Sequence, residues 1–192
     1  MLFAAPRNTP TDPFGGLETQ RLRLRRYTGR DLHLIYRLMS DPLVMRYYPA
    51  VYDLDRARIA LGNVARSYER YGYSLLAAER KLDGVFVGHV GLLHWDDVDA
   101  REDVEVAYML LPEYWGNGYA TEASRSCRDW AFANIDVDRI VSFIVTQNAP
   151  SIAVAERNGM LPLKRIEHNR FGEPIYVYGI SRAEWLAART TE

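Results

Sequence analysis

A change of hydrophobic period partway along the chain restricts its fold more than any other feature. Across 53–71, Ala57, Ala60, Leu61, Val64, Ala65, Tyr68 and Tyr71 recur at helical spacing, and Gly72 follows as a C-terminal stop. From 73 onward the spacing becomes that of strands. The segments 73–79, 85–93 and 104–111 are rich in β-branched and aromatic residues, with Gly84 and the acidic segment 96–103 as turns. The helical period returns after Gly118, with Ala120, Ala123, Cys127, Trp130 and Ala131 on one side. A buried strand is then expected at 140–145, a helix at 151–158 closed by Gly159, and a hairpin of 163–170 with 174–180 about Phe171-Gly172-Glu173.

The ends complete the pattern. Leu22, Leu24 and Tyr27 alternate with arginines as in a strand, so that Arg21, Arg23, Arg25 and Arg26 read as its solvent face. Thr28 is placed to cap a helix with Asp31 in its first turn, followed by Leu32, Ile35, Tyr36 and Met39 and halted near Pro42. Ser181, with Glu184 three residues on, begins a short last helix over 181–188. The order β, α, α, β, β, β, α, β, α, β, β predicts an α/β sheet of two or three layers.

A chain of 192 residues fits one domain, 17–192, preceded by a leader at 1–16 whose prolines and Gly15-Gly16 pair predict mobility. The leader lacks the apolar core of a signal peptide, and no apolar stretch of about 18 residues occurs. Twenty-four basic and 25 acidic side chains nearly cancel, which argues against nucleic acid as a partner. Cys127 is the only cysteine, so intrachain disulfides and multi-cysteine metal sites are excluded and a cytoplasmic setting is expected. His33, His89, His94 and His168 lack metal-ligand spacing, and no metal is expected.

The chemistry is concentrated in Val104-Glu-Val-Ala-Tyr-Met-Leu-Leu-Pro-Glu-Tyr-Trp-Gly-Asn-Gly-Tyr-Ala-Thr-Glu-Ala123, where a strand leads through a glycine turn into a helix. Gly116 and Gly118 allow close approach of a ligand to the main chain, and the helix behind presents unpaired N–H groups and its positive dipole end. Such a turn is also an ordinary connection. No Gly-Lys-Ser/Thr follows as in a P-loop, and Thr121 stands where a dinucleotide motif needs glycine.

Trp115-Gly-Asn-Gly118-Tyr-Ala120 resembles the acyl-CoA signature of the GNAT superfamily, and the longer Pro-Glu-Tyr-Trp-Gly-x-Gly-Tyr-Ala-Thr-Glu-Ala form resembles its RimJ/RimL-like branch. Thr146-Gln-Asn148-Ala-Pro-Ser151, continuing to Glu156-Arg157-Asn158-Gly159-Met160, is similar to that family's second conserved helix. The opening Leu17-Glu-Thr-Gln-Arg-Leu-Arg-Leu-Arg and the ending at Trp185 also resemble that branch.

The resemblance implies a twisted, mostly antiparallel α+β mixed sheet with a splayed parallel strand pair, flanked by helices. It implies acetyl-CoA as cosubstrate, an amine acceptor (a peptide N-terminus or a small molecule), and a monomer or homodimer. Main-chain groups of Met109, Leu110 and Leu111 would meet the pantetheine arm, with an N–H near Leu110 stabilising the oxyanion. Gly116, Asn117, Gly118, Tyr119, Ala120 and Thr121 would hold the pyrophosphate, so Gly118→Val would block the cofactor with little other loss. Glu105 would be the general base, the alternative being a solvated or paired strand carboxylate. Ala155 stands where many members carry a tyrosine acid, which leaves Ser151 as proton donor to the thiolate or as a helix cap. Asn148 would contact pantetheine, and Arg157 the phosphates or solvent. Tyr47, Tyr48, Tyr52, Trp95 and Tyr178 are candidates to line the acceptor cleft, with Asp96, Asp97 and Glu102 to attract a cation. His94 would touch substrate or be structural. A non-catalytic acyl-CoA sensor of the same fold is the competing expectation.

Overall fold

The computed structural model describes residues 14–96, 101–167 and 172–190. Its strands are β1 (Leu17–Glu18), β2 (Leu22–Arg26), β3 (Leu75–Arg80), β4 (Phe86–Trp95), β5 (Asp103–Leu110), β6 (Arg139–Val145), β7 (Leu161–Ile166) and β8 (Ile175–Ser181). Its helices are α1 (Leu32–Met39), α2 (Leu54–Tyr71), α3 (Tyr119–Asn134), α4 (Ala149–Arg157) and α5 (Arg182–Thr190). The strands form one mixed sheet in the order β1-β2-β3-β4-β5-β6-β8-β7. Neighbours are antiparallel except β5 and β6, which run parallel and are paired only at Val104↔Ile140 and Glu105↔Val141. Beyond that short contact the two central strands separate.

Alternation along the strands divides the core between two faces. Val104, Val106 and Leu110 of β5 pack with Leu76, Val90 and Leu92 against α3, where Ala123, Cys127 and Ala131 are fully buried. Leu111 points to the other face and packs with Ala77, Phe86 and α1 Leu38, Met109 lying against the same cluster. Helices therefore cover both faces, and of the two- and three-layer alternatives the three-layer one is found.

Local chemistry sets the helix ends. Thr28 and Asp31 form a reciprocal capping box ahead of α1. Asp53 Oδ1 accepts from Arg56 N–H at the start of α2 at 2.8 Å, and Gly72 ends that helix in the left-handed region at φ 80°. Ser181 and Glu184 exchange hydrogen bonds at the start of α5.

Three features depart from the sequence expectation. The two-residue strand β1 is too short to show a period. Ala65 is exposed, so the buried stripe of α2 is narrower than its alanines suggested. Phe14 is fully buried with its ring 4.5 Å from Trp130, and Gly16 N–H bonds Leu24 O, so the packed chain extends at least three residues before Leu17. Residues 1–13, Asp97, His168 and the Phe171 end of the last hairpin lie outside the described residues. Among the described residues no helix is long and apolar enough to cross a membrane.

Candidate active site

The site begins where β5 and β6 part. At the closed end, Arg139 of β6 forks onto Asp103 of β5 at 2.8 and 2.6 Å, with Asp103 buried. Continued parallel pairing would next join Phe143 N–H to Val106 O. Side chains take over both groups instead: Ser142 Oγ donates to Val106 O at 2.8 Å, and Phe143 N–H donates to Glu105 Oε1 at 3.2 Å. The strands are thus held apart without leaving either backbone group unpaired.

The same register decides which main-chain groups face the opening. Leu111 N–H donates to Val87 O of the β4 side at 3.0 Å, and the β4–β5 register is unbroken from Gly88↔Leu110 to Trp95↔Asp103. Antiparallel alternation therefore turns the main-chain groups of Met109 and Leu111 toward β4, and those of Tyr108 and Leu110 toward the gap. Of the three residues expected to offer main-chain contacts, Met109, Leu110 and Leu111, only Leu110 thus faces the gap, together with Tyr108, while Leu111 N–H is spent on Val87 and its carbonyl on Tyr114 N–H. Leu110 O already accepts from Trp115 Nε1 at 2.7 Å, leaving its N–H as the outward donor. Residue types alone carried no signal for Tyr108 or Ser142; the latter is the one polar residue in the apolar run 140–145.

Glu105 lies in the fork and is 8% exposed. Trp95 Nε1 donates to its Oε2 at 2.7 Å, and the Trp95 ring meets Phe143 edge-on at 6.1 Å. Burial raises the Glu105 carboxyl to about 7, outweighing the Phe143 and Trp95 hydrogen bonds that favour its charged form. Its charge reaches the Tyr48 hydroxyl, which desolvation first and Glu105 second push up to about 12. Beside Tyr48 is a cavity of about 370 Å³ between the α1–α2 connection (Tyr48, Pro49, Tyr52) and α2 (Arg56, Ile59, Asn63). Tyr47, next to Tyr48 in the chain, donates its hydroxyl to Gln147 O at 3.2 Å. Arg46 lies over both the Tyr47 and Trp115 rings, at 4.7 and 5.2 Å. One loop is thereby tied to the connections following both central strands.

Gly116 and Gly118 have φ of 75° and 78°, and no side chain caps α3. A Cβ on Gly116 would meet nothing within 4 Å, whereas one on Gly118 would meet the Arg21 guanidinium at 3.4 Å. Asn117 is exposed and bonds its own turn, its Nδ2 donating to Tyr114 O and Trp115 O and its main-chain carbonyl accepting from Arg21 at 2.9 Å. Arg21 also pairs with Glu122 at 2.6 Å and lies over the Tyr119 ring. Arg25 bridges Asp31 and Glu79. The basic cluster of the first long strand is thus partly a set of braces, a correction to its reading as a plain solvent face. Gly118→Val needs correcting too: at φ 78° a branched side chain strains the fold before any ligand arrives.

Arg157 Nε donates to Thr121 Oγ1 at 3.3 Å, placing a guanidinium beside the first turn of α3. With Arg125, Arg128 and Arg189 it borders a second cavity, of about 380 Å³, in which Asp129 is the only lining carboxylate among the described residues. Uncapped N–H groups, two glycines in the left-handed region and the Arg157 guanidinium beside them fit a phosphate-bearing ligand.

On α4 it is Asn148 Oδ1 that caps the helix, accepting from Ser151 N–H at 3.3 Å. Ser151 Oγ therefore makes no capping bond, while Tyr108 Oη donates to the Ser151 carbonyl at 2.9 Å. Ala155 is buried in the core. Tyr178 does not join the acceptor residues: it faces Ser142 across β6–β8, is buried on the α3 side, and has its hydroxyl beside Glu156. Strand alternation put it on the face opposite Trp95 and Phe143. His94 stacks on Tyr71 at 4.0 Å and contacts Tyr73, Asp96 and Glu102, the structural arrangement of the two expected for it.

The chain matches the Acetyltransferase (GNAT) domain family over residues 21–161 and belongs to that family. YkkB of Bacillus subtilis is 36% identical over 163 residues, covering 84% of this chain and 93% of that protein. The crystal structure of an acetyltransferase from Agrobacterium tumefaciens superposes with a TM-score of 0.71 at 27% identity, covering 91% of this chain and 99% of the other. The spermidine N-acetyltransferase of Vibrio cholerae, solved with CoA and spermine, shares the fold at TM-score 0.70 and 17% identity, over 86% and 98% of the two chains. The protein is a GNAT acetyltransferase with the mixed sheet and splayed parallel pair of that fold.

Proposed function

We propose that the protein transfers the acetyl group of acetyl-CoA to a primary amine by direct attack in a ternary complex, with Glu105 as general base. The observation that carries this reading is a carboxyl buried at the fork of the two central strands and poised near neutrality. Glu105 takes a proton from the amine, directly or through water. The nitrogen then bonds the thioester carbon, the C–S bond breaks, and the thiolate takes a proton. Leu110 N–H faces the carbonyl oxygen as charge develops on it, and Ser151 Oγ is the proton donor to sulfur. Gly116 to Thr121 and Arg157 hold the phosphates, Asn148 and the main chain of Tyr108 and Leu110 the pantetheine. Tyr47 and Trp95 border the acceptor. The motif around Trp115 supports placement in the RimJ/RimL-like branch, and the lone buried Cys127 fits a cytoplasmic enzyme.

A non-catalytic acyl-CoA sensor is favoured by one observation, Ala155 in place of a tyrosine acid. A sensor has no need of a carboxyl held at about 7 where the strands divide. Thermal unfolding with acetyl-CoA, combined with CoA-thiol release over a panel of amines, separates the readings. Ligand at 100 times its dissociation constant adds about 2.7 kcal/mol of stability. Stabilisation with thiol release supports the transferase, and stabilisation without release for any amine supports the sensor. No stabilisation overturns both.

A further inference from the structure

The cavity beside Tyr48 has a lining that selects among amines. Tyr48, Pro49, Tyr52 and Ile59 make it largely apolar, and among the described residues Arg56 is the only charged one on its walls. The acidic residues at that end of α2 are engaged elsewhere: Asp53 caps the helix through Arg56 N–H, and Asp55 pairs with Arg58. A remote ammonium entering here would meet a like charge and, among the described lining residues, find no carboxylate to offset it. An aromatic or aliphatic group would be sheltered by the tyrosines and Ile59, and a carbonyl or carboxylate oxygen would suit Arg56. The loop is held in place, with Tyr48 N–H on Met45 O, Tyr52 N–H on Met39 O and the Tyr47 hydroxyl on Gln147 O, so the cavity is preformed. It is also joined to the site, because Tyr48 is a wall of the cavity and the neighbouring Tyr47 hydroxyl reaches Gln147 O, the residue before Asn148.

We propose that the acceptor is an α-amine on a large apolar or aromatic residue with a carbonyl or carboxylate oxygen beside it, and that this cavity excludes polyamines. The proposal rests on the transfer reading above. It separates this chain by substrate from the Vibrio cholerae protein solved with spermine, with which it shares the fold. The shared chemistry is that of a free amino acid or of a peptide N-terminal residue.

The test uses the full chain with saturating acetyl-CoA, following thiol release with L-phenylalanine, phenylalaninamide, a tripeptide beginning with phenylalanine, and spermidine. In parallel, calorimetry measures binding of the same amines to the chain with and without CoA. At least a ten-fold higher kcat/KM for the phenylalanine compounds than for spermidine is expected. The free acid and the tripeptide distinguish amino acid from peptide as the source. Ile59 is 62% exposed, so Ile59→Glu should fold normally and cut that preference at least ten-fold with acetyl-CoA binding unchanged. Arg56→Glu, favourable at a helix N-terminus, should shift selectivity toward spermidine.

A preference for spermidine, or Ile59→Glu leaving the phenylalanine compounds unaffected, overturns the proposal with the transferase intact. Absence of calorimetric binding by every phenylalanine compound overturns it as well. Binding of these compounds without acetylation of any amine supports the cavity assignment and overturns the transferase reading instead.

Discussion

Trp95 and Glu105 meet diagonally across the β4–β5 pair. Trp95 lies opposite Asp103 and Glu105 opposite Leu93, yet the indole Nε1 reaches the carboxylate at 2.7 Å. Phe143 N–H, released from the ladder by the splay, supplies the second donor. Both bonds favour the charged carboxylate, but burial favours the neutral form more strongly, and the balance falls at about 7. A base in that position can accept a proton near neutral pH and release it again.

The acid limb of kcat/KM against pH should accordingly break at about 7. Trp95→Phe removes a bond to the charged form, so the break should move to higher pH and activity at neutral pH should fall. Glu105→Gln should lose the limb and lower kcat by about 10²–10⁴-fold. Steady-state rates from pH 5 to 9 with a non-titrating acceptor check this. A limb that persists unchanged in Glu105→Gln would assign the base to another group.

The same carboxyl links folding stability to pH. Its folded pKa is raised from the ordinary 4.5 to about 7, so the unfolded chain ionises first. Its contribution is fully present below pH 4.5 and is lost as pH rises to about 7, a change on the order of 3 kcal/mol. Glu105→Gln stays neutral throughout. The variant's Tm should therefore gain on wild type by roughly 6–12 °C between pH 4.5 and 7.5, then level off. Scanning calorimetry over that range measures the difference, and a gap that does not change with pH would count against a desolvated Glu105.

At the glycine turn, strain and ligand contact can be separated by choice of residue. Gly118→Ala should cost roughly 1–2 kcal/mol in the free protein because φ there is positive. Arg157→Ala removes a partly exposed side chain whose bond is to Thr121, so the free protein should unfold within about 0.5 kcal/mol of wild type. Its dissociation constant for acetyl-CoA should rise about ten-fold if one charged contact is lost. Calorimetric titration beside thermal unfolding distinguishes the two effects, and unchanged affinity in Arg157→Ala would place that side chain outside the phosphate site.

Periodicity revealed most of the fold because each long element buries one face. The Thr28 cap, the Gly72 stop and the Ser181–Glu184 box were all legible, since capping is local chemistry. The glycine turn was legible because its backbone conformation demands glycine twice. What sequence could not supply was direction across the sheet. Met109, Leu110 and Leu111 look equivalent in a strand, and only the Leu111–Val87 bond fixes which main chain faces the gap. Tyr178 was misplaced for a related reason: its face follows from pairing with Ser142, a contact 36 residues distant in sequence. Phe14 sat in a proline- and glycine-rich segment whose composition masked a single buried anchor.

Ser151 and Asn148 offer the last test, because the structure divides two roles that one helix start might combine. Asn148 caps α4 and Ser151 does not, so Ser151→Ala removes a hydroxyl with no capping duty. The variant should keep the wild-type Tm within about 1 °C. Loss of proton donation to the leaving sulfur should lower kcat by about ten-fold or more with KM for acetyl-CoA little changed. Asn148→Ala should instead lose about 1 kcal/mol of stability with the cap. If it also contacts pantetheine, KM for acetyl-CoA should rise in that variant alone. Full activity in Ser151→Ala would mean that the thiolate takes its proton elsewhere, and Tyr108, whose hydroxyl lies 2.9 Å from the Ser151 carbonyl, would be the next residue to substitute.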